Sequence, residues 1–151
     1  MDLDHDVYAF VGTRPARWWI RRQAHEAVVH AWDLQHAVGE PDAIDAAVAA
    51  DGIDEILTVL LIPRLVDTSA FAADGESIHV HTTDVDGEWL LQVAPERIDV
   101  TREHAKGDVA LRGPAAEVLL VLWGRLPVAG SSAELFGSAE LLERFLGAAD
   151  L

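Results

Sequence analysis

Apolar residues recur along this chain at two periods, and each change of period marks an element. From Ala16 to Val38 helix formers dominate, with neither Gly nor Pro among them, which predicts one long helix. Pro15 suits a first helical turn, where a missing N–H costs little, and Gly39 followed by Pro41 suits the end of one. Asp42 predicts an N-cap for a second helical stretch, Ala43 to Ala50, with a break or bend at Asp51-Gly52. Ile53, Ile56, Leu57, Leu60 and Leu61 then form a stripe at helical spacing that ends or kinks near Pro63. Val66 to Glu76 reads as a connection. The period next falls to two. Ser77–Thr83, Glu88–Val93, Arg97–Arg102 and Asp108–Arg112 alternate as strands, separated by turns at Asp84–Gly87, Pro95-Glu96 and His104–Gly107. Ala115 to Trp123 is apolar along most of its length, so it predicts a buried helix closed by Gly124. Glu134–Phe136 suggests a short fifth strand, and Ser138 caps a last helix from Ala139 to Leu146, ended by Gly147. Met1 to Arg14 reads as an irregular lead-in.

The expectation is an α+β fold. Its sheet is an antiparallel meander of four to five strands packed with helices, preceded by one long helix. The seam at Val38–Pro41 divides the chain into residues 1–40 and 41–151.

Composition narrows the function. The 151 residues are half hydrophobic, enough for one domain with a core, and the formal net charge is −15. That charge argues against nucleic acid and against docking on an anionic membrane. There is no Cys, so disulfides, thiolate metal sites and a cysteine nucleophile are excluded. The acidic N-terminus does not read as a signal peptide, and the longest apolar run, Ile56 to Pro63, is too short to span a bilayer. A cytoplasmic protein is expected.

Candidate chemistry concentrates on the first helix. Residues four apart stack on one face, so Glu26 and His30 point the same way, with Asp33 within an arc of about 60°. A carboxylate and an imidazole one turn apart can share a divalent ion. They can equally form a surface pair, or a polar seam with Arg22 and Asp33. His25 lies about 140° from His30, so the arrangement differs from the His-Glu-x-x-His helix of metalloproteases. Elsewhere, His79 and His81 share one face of their strand. That is either a two-histidine metal pair or, the reading the sequence favours, a solvated sheet face. His104 falls in a turn with Lys106 and reads as exposed, and Trp89 and Trp123 read as anchors between sheet and helices.

Three stretches carry a resemblance. They are Arg21–Asp33, Asp51–Leu57, and Asp108–Pro114 continuing through Leu119–Arg125. In order and spacing they resemble the mycothiol-dependent maleylpyruvate isomerase family, which joins a DinB-like helical bundle to a sterol-carrier-like C-terminal domain. The resemblance implies that Ala16–Val38 is the last helix of such a bundle and that the chain is the C-terminal part, or a truncated member, of that family. It further implies a zinc ion held by Glu26, His30 and a histidine from an earlier helix, which has no counterpart here. The metal would activate the mycothiol sulfur as a thiolate. A functional arginine of the C-terminal domain matches Arg125, with Arg112 and Arg102 as alternatives. Two functions follow. One is a metal- and mycothiol-dependent isomerase or S-transferase acting on a small-molecule substrate, its site completed by a homodimer partner or by the missing bundle. The other is a non-catalytic domain that binds an apolar ligand or serves as an accessory subunit.

Overall fold

The computed structural model describes residues 2–39, 41–61, 65, 75–94 and 97–149. The chain divides into two compact units, Met1–Ile44 and Asp45–Leu151.

The first unit begins with a hairpin, β1 (Asp6–Ala9) and β2 (Gly12–Pro15), paired antiparallel from Asp6↔Pro15 to Ala9↔Gly12. This corrects the irregular lead-in expected for Met1 to Arg14. The loop lacks the Asn-Gly or Asp-Gly signal of tight hairpins, and its anchors lie on the following helix. Phe10 meets Trp18 and Trp19 edge-on at 5.4 and 6.0 Å between ring centroids, and Trp19 Nε1 donates to the Tyr8 carbonyl at 3.1 Å. Helix α1 spans Ala16–Ala37. Two of its orphan N-terminal amides are satisfied by the lead-in, Ala16 by the His5 carbonyl (2.9 Å) and Arg17 by the Leu3 carbonyl (3.0 Å). Gly39, at φ 85°, closes it in the left-handed conformation expected of a C-terminal glycine. Arg22, His25, Val29 and Trp32 are its buried stripe. A second stripe at heptad spacing, Ile20, Ala24, Ala27, Ala31, Leu34 and Val38, is exposed.

The second unit opens with α2 (Ala46–Glu55). Its N-cap is Asp45, which accepts from Ala47 N and Val48 N at 3.0 and 3.1 Å. Asp42, the expected cap, accepts from Gln35 instead. Asp51-Gly52 does not break the helix. Gly52 is buried, and α2 packs along the later apolar helix. The chain continues as a π-helical segment, Ile56–Leu61, and the expected apolar stripe from Ile53 to Leu61 is buried. Pro63, the Val66–Asp74 connection and the Pro95-Glu96 turn lie outside the described residues.

Five strands follow: β3 (Ser77–Thr82), β4 (Glu88–Ala94), β5 (Arg97–Thr101), β6 (Val109–Gly113) and β7 (Glu134–Gly137). Helix α3 (Ala115–Leu122) lies between β6 and β7, and α4 (Ala139–Ala149) follows β7. The sheet order is β5-β4-β3-β6-β7. The first three strands form the expected antiparallel meander. The fourth departs from it: β6 crosses to the other side of β3 and pairs with it in parallel, from Ile78↔Val109 to Thr82↔Gly113. Short turns on either side of a strand suggest hairpins, but a parallel pair needs a crossover, and the Arg102–Asp108 loop supplies it. A clasp fixes the register. Ser77 N and Ser77 Oγ both donate to Asp108 Oδ2 at 2.8 Å, and Asp108 N donates to the Ser77 carbonyl at 3.0 Å. Helix α3 is capped by Asp84, whose Oδ1 accepts from Ala115 N at 2.8 Å, and Gly124 closes it at φ 67°. Helix α4 runs through Gly147, beyond its expected end.

Ile78, Val80, Leu91, Val93, Val109 and Leu111 cover one face of the sheet and are at most 3% exposed. With Val118, Leu119, Leu142 and Phe145 of the helices they form the core. The other face carries the polar side chains described below.

Candidate functional site

Two features of the second unit can hold a ligand. The first is an apolar cavity of about 720 Å³ formed where α3, the turn after it, β7 and α4 meet. Val121, Leu122, Leu126, Leu135, Leu142 and Leu146 supply most of its wall, and Glu143 is the one charged side chain on it. The sequence builds it from Gly124 onward. The left-handed glycine ends α3 and turns Leu126–Ala129 back along the helix, so the ends of two helices flank a space that neither fills.

The second is a polar cleft of about 700 Å³ at the end of the β3–β4 hairpin, walled by α2, the hairpin and the crossover loop, with a histidine cluster beside it on the outer face of the sheet. His81 lines the cleft from β3, and Glu88, paired with His81 across the ladder, lines it from β4; His79, on the same face of β3 as His81, belongs to the cluster beside it. His104 reaches the same place from the crossover loop. Its Nδ1 lies 3.0 and 3.1 Å from the two Glu88 carboxylate oxygens, and His81 Nε2 lies 3.5 Å from Glu88 Oε1. The rings of His79, His81 and His104 stand 5.7 to 6.1 Å apart. His79 is only 5% exposed, so the solvated sheet face expected for the His79–His81 pair is corrected at its deeper member. The loop does the covering. A Cβ at Gly107 would lie 2.9 Å from His79 N and 2.7 Å from the Val109 carbonyl oxygen, so only glycine lets the loop lie this close. Burial lowers the pKa of His79 below the usual imidazole value; Glu88 opposes this, and His81 and His104 reinforce it. Burial alone would raise the Glu88 carboxyl, but the His104 hydrogen bond and the three imidazoles hold it below its usual value.

Sequence inspection placed metal chemistry on α1 and missed this cluster. Its one visible trace was the His79-x-His81 pair. Glu26 and His30 do face each other, with Glu26 Oε2 3.0 Å from His30 Nε2. His30 Nδ1 lies 3.1 Å from Asp33 Oδ2, and Arg22 bonds Glu26 Oε1. His30 is 59% exposed. Arg125 follows the end of α3, donating from Nη1 to the Trp123 carbonyl at 2.8 Å with its guanidinium 5.5 Å from the Trp123 ring centroid. Arg112 pairs with Glu134 at 2.7 Å, and Arg102 pairs with Asp54. Trp89 Nε1 also donates to Asp54, at 3.0 Å, tying the sheet to α2 as expected of a buried anchor. Within the described residues, no helix is long and apolar enough to cross a membrane.

Comparison with known proteins bears on the second unit. Among solved structures the chain is similar to the UbiJ-SCP2 ubiquinone synthesis protein, at 19% identity over 72% of this chain and 94% of that one, with a TM-score of 0.51. It is also similar to part of the inverting sec-alkylsulfatase Pisa1 from Pseudomonas sp., at 18% identity over 65% of this chain but only 16% of the enzyme, with a TM-score of 0.55. The sterol carrier protein domain 2 of Helicoverpa armigera matches at 14% identity over 66% of this chain and 90% of that domain, with a TM-score of 0.49. At 18–19% identity the likeness to the first two establishes the fold, which is sterol-carrier-like. No curated protein sequence matches the chain. A family model does: the MDMPI C-terminal domain matches residues 47–144, nearly all of the second unit. With the motifs at Asp51–Leu57 and Asp108–Arg125 inside that match, the chain belongs to the mycothiol-dependent maleylpyruvate isomerase family through its C-terminal domain.

Proposed function

We propose that Asp45–Leu151 is a binding unit for an apolar small molecule. The cavity between α3, β7 and α4 carries this reading. Its volume of about 720 Å³ falls within the roughly 300–1,000 Å³ usual for small-molecule pockets, and its wall is apolar with one charge, as such pockets tend to be. Apolar surface left open to water at that scale favours an occupant. A ligand with a hydrocarbon body and a hydrogen-bonding head fits both the wall and Glu143. Titration with a fluorescent long-chain alcohol, whose hydroxyl can donate to Glu143, should show saturable one-to-one binding. Leu126→Glu and Leu146→Glu, each placing a charge on the wall, should weaken it about tenfold or more while circular dichroism stays unchanged. An absence of binding, or binding indifferent to both substitutions, would sink the reading.

A second reading keeps the family's metal-dependent thiol chemistry, with Glu26 and His30 as zinc ligands and Arg125 as the functional arginine. The 3.0 Å approach of Glu26 to His30 supports it. Zinc held there would stabilise the mycothiol sulfur as a thiolate. Among the described residues, however, no third ligand joins these two, and a catalytic zinc site uses three. The third donor would have to come from a second copy or from a helical bundle laid on α1. The exposed stripe from Ile20 to Val38 is a face that such a partner could cover. Zinc stoichiometry in the wild type, Glu26→Ala and His30→Ala, measured together with solution mass, tests both requirements. Zinc that is unaffected by either substitution excludes this reading.

A further inference from the structure

We propose that the outer face of the sheet holds a divalent transition-metal ion, with His79, Glu88 and His104 as ligands and His81 beside them. The site is separate from the apolar cavity and does not use the ligands expected on α1.

Three independent observations converge on it. The first is placement. One ring nitrogen of His79, one of His104 and one oxygen of Glu88 all lie within 4.8 Å of one another, although the residues come from β3, β4 and the crossover loop. Bringing three separated segments to one point requires the fold to hold them there, unlike a pair one turn apart on a helix. The second is an orphaned atom. His79 Nε2 is buried and has no hydrogen-bond partner. Such a group is destabilising unless something satisfies it, and imidazole is the commonest protein ligand for borderline metals. The third is charge. Three imidazoles gather within about 6 Å of one another around a single carboxylate, Glu88. The cleft beside it is lined by Asp51, Asp54, Asp86, Glu88 and Glu103 against the single cation Arg102, a balance that draws in a cation.

Two imidazoles and one carboxylate suit zinc, and also cobalt, nickel and copper, better than calcium or magnesium, which prefer all-oxygen shells. Three protein donors leave a coordination position for His81 or for a small ligand in the cleft, the pattern of an open site. The cleft volume of about 700 Å³ leaves room for one.

The test is titration of the full-length protein with zinc chloride by calorimetry, and with cobalt chloride by visible absorption. Wild type should bind about one ion per chain at this site, and cobalt should give the intense visible bands of low coordination. His79 is buried and its replacement could disturb folding, so the decisive variants are His104→Ala, whose side chain is 78% exposed, and Glu88→Gln. Each should weaken binding about a hundredfold or more, since even outer-shell changes cost about 10–100-fold. Glu140→Gln, an exposed carboxylate on α4, should leave the titration unchanged. Magnesium and calcium should not compete. The proposal is overturned if no saturable binding occurs, if His104→Ala and Glu88→Gln leave affinity intact, or if the bound ion is lost in Glu26→Ala and His30→Ala instead. Binding of the long-chain alcohol is read in a separate titration, so either assignment can fail without the other.

Discussion

The chain carries two histidine–carboxylate constellations, and they differ in how they are held. On α1, Glu26, His30 and Asp33 lie within eight residues of sequence on one helix. Both ring nitrogens of a largely exposed His30 already face carboxylates, at 3.0 and 3.1 Å. On the sheet, His79, Glu88 and His104 come from three segments, and the deepest of them is buried with Nε2 unsatisfied. Helical spacing produces the first arrangement without any demand on the rest of the fold. The second exists only because β3, β4 and the crossover loop are fixed relative to one another. A constellation maintained against desolvation says more about function than one that spacing alone supplies.

The sharpest way to break this comparison is to loosen the scaffold under the sheet. Leu111 is fully buried at the centre of β6. Leu111→Ala should cost about 2–5 kcal/mol, the transfer free energy plus a cavity. Leu34 on α1 is 70% exposed, so Leu34→Ala should stay within about 0.5 kcal/mol. Urea unfolding of both variants measures the contrast. Equal losses would mean that the two regions are held alike.

A smaller change targets the loop that roofs the sheet cluster. Gly107→Val places branched atoms against the His79 backbone and the Val109 carbonyl. Relieving that crowding should cost about 1–3 kcal/mol and move the loop, with His104, off the sheet. Zinc affinity should then fall although no ligand has been replaced. If Gly107→Val is less stable but binds zinc as before, the loop does not position His104.

The same contrast explains what could be read from the sequence. Periodicity gave the long helix, the Ile53–Leu61 stripe, the strands and the buried α3, because each depends on residues close together in the chain. It missed the hairpin at Asp6–Pro15, whose anchors Trp18 and Trp19 lie on α1, and it misplaced β6, whose partner was decided by a long-range clasp. Asp42 and Asp45 are equally good caps in isolation, and tertiary contacts chose between them. The sheet cluster fell to the same limit: an x-His-x-His strand looks solvated until the crossover loop is known to lie on it. On α1 the spacing of Glu26 and His30 was legible, but not whether any other residue completes them.

A milder test uses acid on the clasp that holds β6 beside β3. Hydrogen bonds from Ser77 hold the Asp108 carboxyl below its ordinary value of 3.8. A depressed folded pKa stabilises above the ordinary value and is lost as pH falls through the folded one. Stability measured by urea between pH 6 and pH 2 should therefore fall more steeply below about pH 4 in wild type than in Ser77→Ala. Parallel curves would show that the clasp does not contribute to the sheet.

The smallest effect expected is on α1, and it defines the lower bound of the comparison. An exposed pair one turn apart contributes about 0.3–0.5 kcal/mol. Replacing His30 by Ala would obscure it, because Ala's helix propensity offsets the lost contact by a similar amount. A double-mutant cycle with Glu26→Gln and His30→Gln removes that bias. The coupling should be about 0.3–0.5 kcal/mol at low salt and should shrink as salt screens the pair. It should not change when zinc is added if the pair is only a surface contact. A coupling that instead grows well past 1 kcal/mol in the presence of zinc would mean that the ion engages both side chains. That outcome would return the metal to α1, and it would require a third ligand from a partner that covers this face.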